Sequence, residues 1–166
     1  TAIGCEALFS NTSGDKNTVI GHNAMYSNTT GYENVASGFQ SLFSNTSGRG
    51  NVASGYQAMY SNTTGSSNVA QGSRSLNANT TGVFNVAIGN ATLRSNTIGD
   101  SYTAVGRAAM NANINGKENT ANGGSTLLRN IDGNYNSAVG FAALEFNTSG
   151  DDNVAVGYKS LAANTT

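Results

Sequence analysis

The sequence contains no proline, no tryptophan and only one cysteine, Cys5, among its 166 residues. A single cysteine cannot form a disulfide within the chain, and there is no Cys-x-x-Cys pair to bind zinc. The eight basic and nine acidic residues are spread along the sequence, so no basic stretch predicts binding to nucleic acid or to an anionic membrane. No apolar run approaches the ~20 residues of a membrane-spanning helix, and no membrane insertion is expected in this segment.

Large apolar residues are also scarce. Asn alone is almost as frequent as Leu, Ile, Val and Phe together. Such a composition can indicate disorder, but disordered chains usually combine low hydrophobicity with high net charge. The formal net charge of this chain is only −1, so we predict an ordered protein.

The sequence instead repeats with a period of 17, and the repeat runs without an insertion. If position 1 is counted from Asn11, position 1 is Asn in every unit, positions 4 and 11 are Gly in every unit, and position 7 is Asn except at Tyr102. Identical amides that stack from unit to unit can form hydrogen-bonded ladders. The predicted ladder residues are Asn11, Asn28, Asn45, Asn62, Asn79, Asn96, Asn113, Asn130 and Asn147 at position 1, and Asn17, Asn34, Asn51, Asn68, Asn85, Asn119, Asn136 and Asn153 at position 7.

The length of the repeat indicates the fold class. A period of 17 is too short for the helical-pair repeats and closer to the short repeats of β-solenoids. Glycine and asparagine disfavour a helix, whereas positions 8 to 10 are rich in β-branched residues, which favour a strand. We therefore predict an all-β protein, a parallel β-solenoid with one 17-residue coil per unit. With coils stacked at ~4.8 Å, the rod would be about 45 to 50 Å long.

The domain prediction is a single β-solenoid segment of about ten coils over residues 1–166. No capping unit is recognisable, so we expect an uncapped piece of a longer fibre. The glycines at positions 4 and 11 are predicted to be corners at which φ is positive.

Position 15 is Leu or Met in every unit and is predicted to be the core. The residues are Leu8, Met25, Leu42, Met59, Leu76, Leu93, Met110, Leu127, Leu144 and Leu161. Position 9 is Ala in all units but one, which favours an inward position 9 and outward positions 8 and 10. The opposite phase stays open, and in either phase this strand is the expected contact between subunits. The candidate interface residues are Ile3, Ile20, Val35, Val52, Val69, Val86, Ile88, Val105, Val139, Val154 and Val156.

Four segments, "NTVIGHNAM", "NVAIGNATL", "NSAVGFAAL" and "NVAVGYKSL", resemble the head repeats of trimeric autotransporter adhesins. The chain also resembles the "NTAIGxxAL" arrays of bacterial surface proteins and phage-type tail fibres. The resemblance covers all nine complete units and implies a left-handed β-roll that packs as a homotrimer on a bacterial cell surface or a virion fibre. The unit of this chain is longer than that of the adhesin heads by its "NTTGxx" corner.

From these observations we predict a structural or adhesive extracellular fibre that projects a receptor-binding tip and contacts a host-surface glycan or protein receptor. We predict no enzymatic activity, no cofactor and no metal site. Asp15, Asp100 and Asp151 share position 5 but belong to coils at least three units apart, which is too far for the paired carboxylates of a glycosidase. His22 is the only histidine.

Two surface features leave alternatives open. Aromatic residues recur at positions 12 and 16, where they either pack on neighbouring coils or contact a sugar. Threonine recurs at position 2, and a flat row of stacked threonines would suit an ice-binding solenoid, which is the alternative function. The row comprises Thr12, Thr29, Thr46, Thr63, Thr80, Thr97, Thr148 and Thr165, with Ile114 and Ile131 interrupting it.

Overall fold

The computed structural model describes all residues from Thr1 to Thr166 and contains strands but no helix. Ten short strands pair in parallel, in sequence order, to form one sheet. Each residue of a strand pairs with its counterpart in the next repeat, as Val35 does with Val52. The prediction of an all-β parallel β-solenoid with 17-residue coils is confirmed, with about nine turns.

The strands occupy positions 8 to 10 of the repeat, as predicted. Their bounds are β1 Ala2–Ile3, β2 Thr18–Ile20, β3 Val35–Ser37, β4 Val52–Ser54, β5 Val69–Gln71, β6 Val86–Ile88, β7 Thr103–Val105, β8 Thr120–Asn122, β9 Ser137–Val139 and β10 Val154–Val156. We number the coils from position 1, so that coil 1 is residues 11–27 and coil 9 is residues 147–163.

Hydrogen bonds join the coils well beyond the strands. Of 110 backbone hydrogen bonds, 93 lie outside the strands, so the stacking of coils does not depend on the sheet alone. At some positions the N–H donates to the next coil, as Thr12 N does to Thr29 O at 3.0 Å. At others it donates to the preceding coil, as Gly21 N does to Ile3 O at 2.8 Å. The direction of donation therefore alternates around the coil.

Besides the buried asparagines of positions 1 and 7, three rows of side chains fill the interior. Position 9 is buried in every strand from β2 to β10, and the Leu or Met at position 15 is fully buried from Met25 to Leu144. Position 14, which the sequence did not assign to the core, is buried as well, as at Ala58 and Thr92. The hydroxyl of Thr92 donates to the carbonyl of Gly106 at 2.7 Å, so a polar residue in this row is satisfied.

The core prediction is wrong only at Leu161, which is 51% exposed. Leu8 at the other end is half-buried and packs against the core. Burial is incomplete at both ends because each residue has a neighbouring coil on one side only. The inward position 9 also resolves the phase of the strand, and positions 8 and 10 face outward.

Left-handed backbone explains how positions 14 and 15 can both face inward. The residues at positions 6, 13 and 15 have positive φ in coil after coil, with 57° at Glu33, 53° at Gln40 and 51° at Leu42. An L-residue in this region costs roughly 1–2 kcal/mol. Burying a Leu or Met side chain contributes about 1.5–3 kcal/mol. At position 15 the burial of the side chain therefore offsets the cost of the positive φ of the same residue.

The glycines at positions 4 and 11 are invariant for different physical reasons. At position 11 φ lies between 123° at Gly157 and 139° at Gly123, a region that favours glycine. Position 4 is not in the positive-φ region, so that part of the prediction is wrong. A Cβ on Gly48 would instead collide with Asn45 Oδ1 and with the carbonyl oxygen of Gly65 in the next coil. Glycine at position 4 is required for space.

The asparagines of position 1 form an unbroken ladder inside the rod. Each Nδ2 donates to Oδ1 of the preceding rung, as from Asn45 to Asn28 at 2.9 Å and from Asn62 to Asn45 at 2.8 Å. Nearly every rung also donates to the carbonyl of the position 4 glycine of its own coil, as Asn62 does to Gly65 at 3.0 Å. The ladder continues to Asn164, which donates to Asn147 at 3.0 Å.

The asparagines of position 7 form a second ladder, in which the backbone takes part. Both the N–H and Nδ2 of Asn34 point to Asn17 Oδ1, at 3.0 and 3.2 Å. Nδ2 of Asn34 also donates to the carbonyl of Gly48 at 2.9 Å, which ties position 7 to the corner of the following coil. This ladder runs from Asn17 to Asn85 and again from Asn119 to Asn153.

Tyr102 separates the two parts of the position 7 ladder. It is 1% exposed, its hydroxyl has no hydrogen-bond partner, and burial raises its pKa to about 12. Its N–H still donates to Asn85 Oδ1 at 3.1 Å, but the tyrosine offers no amide oxygen to Asn119. The nearby rung of position 1, from Asn113 to Asn96, is the longest at 3.5 Å. The stacking is thus weakest between coils 6 and 7.

Candidate functional site

The outer strand face is the surface formed by the side chains at positions 8 and 10. All eleven residues predicted as the subunit interface lie on it, since the middle residue of each strand from β2 to β10 points inward. Seven are exposed, with Ile3 at 59% and Val156 at 72%, and the rest are half-buried. The exposed residues are Ile3, Ile20, Val35, Ile88, Val139, Val154 and Val156, and the half-buried ones are Val52, Val69, Val86 and Val105.

This face is apolar at eleven of its twenty positions. Position 10 is polar in three consecutive strands, at Ser37, Ser54 and Gln71, and again at Asn122, and position 8 is Thr or Ser in five units. No other part of the chain covers the face, because the sheet is a single layer whose opposite side is the core. Apolar side chains exposed together on one face mark sites of association.

Aromatic ladders cover the turn that follows the strand in the first coils. At position 16, Phe9, Tyr26, Phe43 and Tyr60 stack in sequence with ring centroids 5.1 to 5.4 Å apart. At position 12, His22, Phe39 and Tyr56 stack in the same way at 5.4 and 5.5 Å. Of the two roles expected for the aromatic residues, the structure shows packing between coils.

The geometry of these ladders limits what they can bind. The rings are within 10° of parallel, so each inner ring has both faces covered by its neighbours and presents only its edge. A sugar that stacks on an aromatic residue requires an open ring face. Only the end rings have one, and Arg74 lies over the ring of the end residue Tyr56 at 5.6 Å.

The threonines of position 2 form the predicted row through six consecutive coils. The first five hydroxyls are not free, because each donates to the backbone carbonyl of the next threonine, as Thr29 Oγ1 does to Thr46 O at 3.0 Å. The exposed Ile114 and Ile131 interrupt the row after Thr97. It resumes at Thr148, whose hydroxyl donates to Thr165 O at 3.0 Å.

Charged residues that look dispersed in the sequence are sorted into two surfaces in the structure. From residue 62 onward, the corner at positions 2 to 6 carries five carboxylates and one lysine, a net charge of −4. The turn at positions 11 to 17 carries five cations and one glutamate, a net charge of +4. The acidic corner comprises Asp100, Lys117, Glu118, Asp132, Asp151 and Asp152, and the basic turn comprises Arg74, Arg94, Arg107, Arg129, Glu145 and Lys159.

This separation is not visible when charge is counted along the chain, and it emerges only when charge is tabulated by repeat position. Two carboxylates also have a local structural role. Asp100 accepts the N–H of Val83 at 2.7 Å, and Asp151 accepts that of Asn134 at 2.6 Å.

No cavity that could enclose a ligand is present, and no three His, Cys, Asp or Glu side chains lie close enough to share a metal ion. His22 is engaged in the aromatic ladder, and Cys5 is exposed. The structure has no helix that could cross a membrane.

Comparisons with protein-family models, curated proteins and solved structures found no match to the chain. The function must therefore be argued from the surfaces described above.

Proposed function

We propose that the chain is a structural and adhesive segment of an extracellular fibre, and that its outer strand face contacts two further copies in a homotrimer. The observation that carries the proposal is the row of exposed valine and isoleucine side chains on that face, from Ile3 to Val156. The resemblance of the repeats to adhesin heads and tail-fibre arrays agrees with it and is the source of the trimer, the left-handed coil and the bacterial-surface or virion location.

The small interior of each coil supports the need for a partner. A coil buries mainly one Ala, one small residue and one Leu or Met, which is little apolar area for a coil of this length. Burying a further Val or Ile side chain adds about 1.5–3 kcal/mol. Covering the outer strand face would therefore contribute to stability in each coil where it is apolar.

The mechanism of such a segment is mechanical. The backbone hydrogen bonds between coils and the two asparagine ladders resist bending and sliding of one coil on the next. A rod built in this way holds a receptor-binding tip away from the cell or virion. Identical coils on three chains would also present repeated weak contacts to a glycan or protein receptor, so that avidity replaces affinity at a single site.

Sedimentation of the isolated segment at micromolar concentration tests the proposal. We expect a mass of about three times 16.9 kDa for the wild type and a smaller species for Ile88→Lys combined with Val139→Lys, since these place charge on the outer strand face. Thr30→Lys combined with Ser47→Lys is the matched control, because both positions are exposed, lie off the outer strand face and belong to coils whose turn carries no charge. A folded wild-type monomer would show the trimer to be wrong.

Binding of the trimer to glycan arrays and to host cells would then distinguish an adhesive segment from a passive spacer. We expect weak binding that is lost when the segment is monomeric. Absence of binding by an intact trimer would leave only the spacer role.

Ice binding is the second candidate, and it depends on the threonine row from Thr12 to Thr97. The regular spacing of these residues favours it. The donation of their hydroxyl hydrogens to the backbone weighs against it, because those hydrogens cannot also bond to ice. A thermal-hysteresis measurement decides: activity at high protein concentration would support this candidate, and none would exclude it.

A further inference from the structure

The acidic corner and the basic turn lie on opposite flanks of the outer strand face. Positions 2 to 6 precede the strand in each coil and positions 11 to 17 follow it, so the strand separates the two surfaces. The single ion pair within the chain joins Lys16 and Glu33, at 3.1 Å in coils 1 and 2. None of the charged residues in the acidic corner or the basic turn has an oppositely charged partner in its own chain.

We infer that a second copy of this chain docks on the outer strand face in parallel orientation and in register, with the acidic corner of one copy against the basic turn of the next. The inference rests on the proposed self-association and specifies its geometry. Charge complementarity across an interface selects orientation and register and disfavours arrangements that bring like charges together.

The orientation follows from symmetry. When a copy is rotated about an axis parallel to the rod, its basic turn comes to lie beside the acidic corner of its neighbour, whatever the number of copies in the closed ring. When a copy is turned end over end and laid face to face, the corners of one copy meet the corners of the other and the turns meet the turns, so the acidic corner has no basic turn beside it. Only the parallel arrangement pairs the −4 surface with the +4 surface.

The symmetry of a closed ring also fixes the register, because a rotation about the axis moves no copy along it. In the aligned register the corner and the turn carry opposite charges in coil 6, with Asp100 and Arg107, and in coil 9, with Asp152 and Lys159. Coil 8 carries like charges, and in coil 7 Lys117 offsets Glu118. Large slips would place the acidic corner beside the aromatic ladders of coils 1 to 3, where the turn carries no cation.

A second copy suits these surfaces better than a polyanion. The net charge of +4 on the basic turn is matched by the net charge of −4 on the acidic corner, and residues 62–166 are neutral as a whole. A polyanion would neutralise the turn but be repelled by the acidic corner. A copy of the chain neutralises both.

Charge reversal tests the pairing. The acid variant is Glu118→Lys with Asp152→Lys, and the base variant is Arg129→Glu with Lys159→Glu, so both variants change coils 7 and 9. None of these four side chains has a hydrogen bond or ion pair within the chain. We expect each variant alone to weaken self-association about tenfold at low salt. The chain that carries all four substitutions should associate nearly as well as the wild type, because the corner of coil 7 is then positive beside a negative turn and the corner of coil 9 is neutral.

The matched control is Ser13→Lys with Ser47→Lys, at exposed positions in coils 1 and 3, and we expect it to associate as the wild type does. Circular dichroism confirms that each variant is folded. If the four-substitution chain associates no better than the acid variant and the base variant, the pairing of corner with turn is wrong. Heparin binding by a wild-type chain that stays monomeric would instead assign the basic turn to a polyanion.

Spin labels on Cys5, the only cysteine, read the orientation directly. In an antiparallel pair two labels are separated by about nine coil spacings, roughly 43 Å. In the parallel arrangement they lie at the same end, and their distance is set only by the width of the rods. A wild-type oligomer with labels about 43 Å apart would overturn this inference and leave the fibre proposal intact, whereas a wild-type monomer would overturn both.

Discussion

Coils 1 to 3 and coils 6 to 9 share one backbone and one interior but differ in the turn that follows the strand. In coils 1 to 3 the turn carries ladders of aromatic rings 5.1 to 5.5 Å apart. In coils 6 to 9 the same turn carries Arg107, Arg129 and Lys159, and the one aromatic stack there, Phe141 on Tyr158, is wider at 5.9 Å. The interior, in contrast, keeps the same rows and is interrupted only where tyrosine replaces asparagine at residue 102. Inside the rod each side chain contacts its counterpart in the next coil, so few residue types are tolerated at each interior position. The residues on the outer surface can vary from coil to coil.

The largest effect is expected from removing a rung of the unbroken ladder. Asn62→Ala leaves Asn45 Oδ1 and one of the two Nδ2 hydrogens of Asn79 without a partner in the interior. The carbonyl of Gly65 loses one hydrogen bond but still accepts from Asn51. At about 1–3 kcal/mol for each buried unsatisfied group, we expect the free energy of unfolding in urea to fall by about 3–5 kcal/mol. Asn90→Ala, at an exposed position, is the control and should change it by less than about 0.5 kcal/mol.

Gly48 and Gly50 can be used to compare a glycine that is required for space with one that is in the positive-φ region. Gly48→Ala forces a Cβ into Asn45 and the next coil, and we expect a loss of about 2–4 kcal/mol. Gly50→Ala has open space at φ 62° and should cost only about 1 kcal/mol. Equal losses in urea unfolding would show that space is not what position 4 requires.

The pH dependence of stability probes the interrupted ladder. The pKa of Tyr102 is about 12 in the folded chain, above the usual value near 10 for an unfolded tyrosine. Between pH 10 and pH 12 the hydroxyl of Tyr102 loses its proton in the unfolded chain before it does so in the folded chain. The stability that comes from keeping this buried hydroxyl protonated is therefore complete below pH 10 and is lost as pH rises toward 12. We expect the wild type to lose about 2 kcal/mol relative to Tyr102→Phe by pH 12. Parallel curves for the two proteins would contradict the burial of the hydroxyl.

Repairing the interruption should stabilise the rod. Tyr102→Asn supplies the missing amide between Asn85 and Asn119, and we expect a gain of about 1–2 kcal/mol at neutral pH. Tyr102→Phe removes the unpartnered hydroxyl but restores no rung, so its gain should be smaller. Thermal unfolding followed by circular dichroism measures both, and a loss of stability in Tyr102→Asn would show that the tyrosine ring packs better than a rung would.

The smallest effect concerns the two kinds of turn. Phe43→Ala removes a ring that stacks on both Tyr26 and Tyr60 and should cost about 1–2 kcal/mol. Arg94→Ala, at the same position 16 in coil 5, should cost less than about 0.5 kcal/mol. If chemical unfolding gives the same value for both, the aromatic ladders do not contribute to the stability of coils 1 to 3.

The period of the repeat was enough to predict the solenoid, the strands at positions 8 to 10 and the core row of Leu and Met. These features need particular residue types in every coil, so they leave a signal in the sequence. Position 14 was missed because Ala, Ser and Thr alternate there, and small polar residues do not resemble a core. The left-handed residues at position 13 were missed because Gln40, Arg74 and Ala91 share a φ and no chemistry.

The reason for glycine at position 4 could not be predicted from the sequence, since a tight corner and a crowded interior both require glycine. Among the surfaces, the outer strand face could be predicted from the sequence, because side chains alternate along a strand. The self-association that would cover it stays a prediction, because a single chain shows which groups are uncovered and not what covers them.

The alternating direction of hydrogen bonds between coils has a consequence for the length of such rods. In an α-helix the peptide dipoles add along the axis and place partial charges at the two ends. Here, donors that point forward, such as Thr12 N, are opposed by donors that point backward, such as Gly21 N, and the dipoles largely cancel. A coil can therefore be added or removed without an electrostatic penalty at the ends, so the reach of the fibre can be set in steps of one coil.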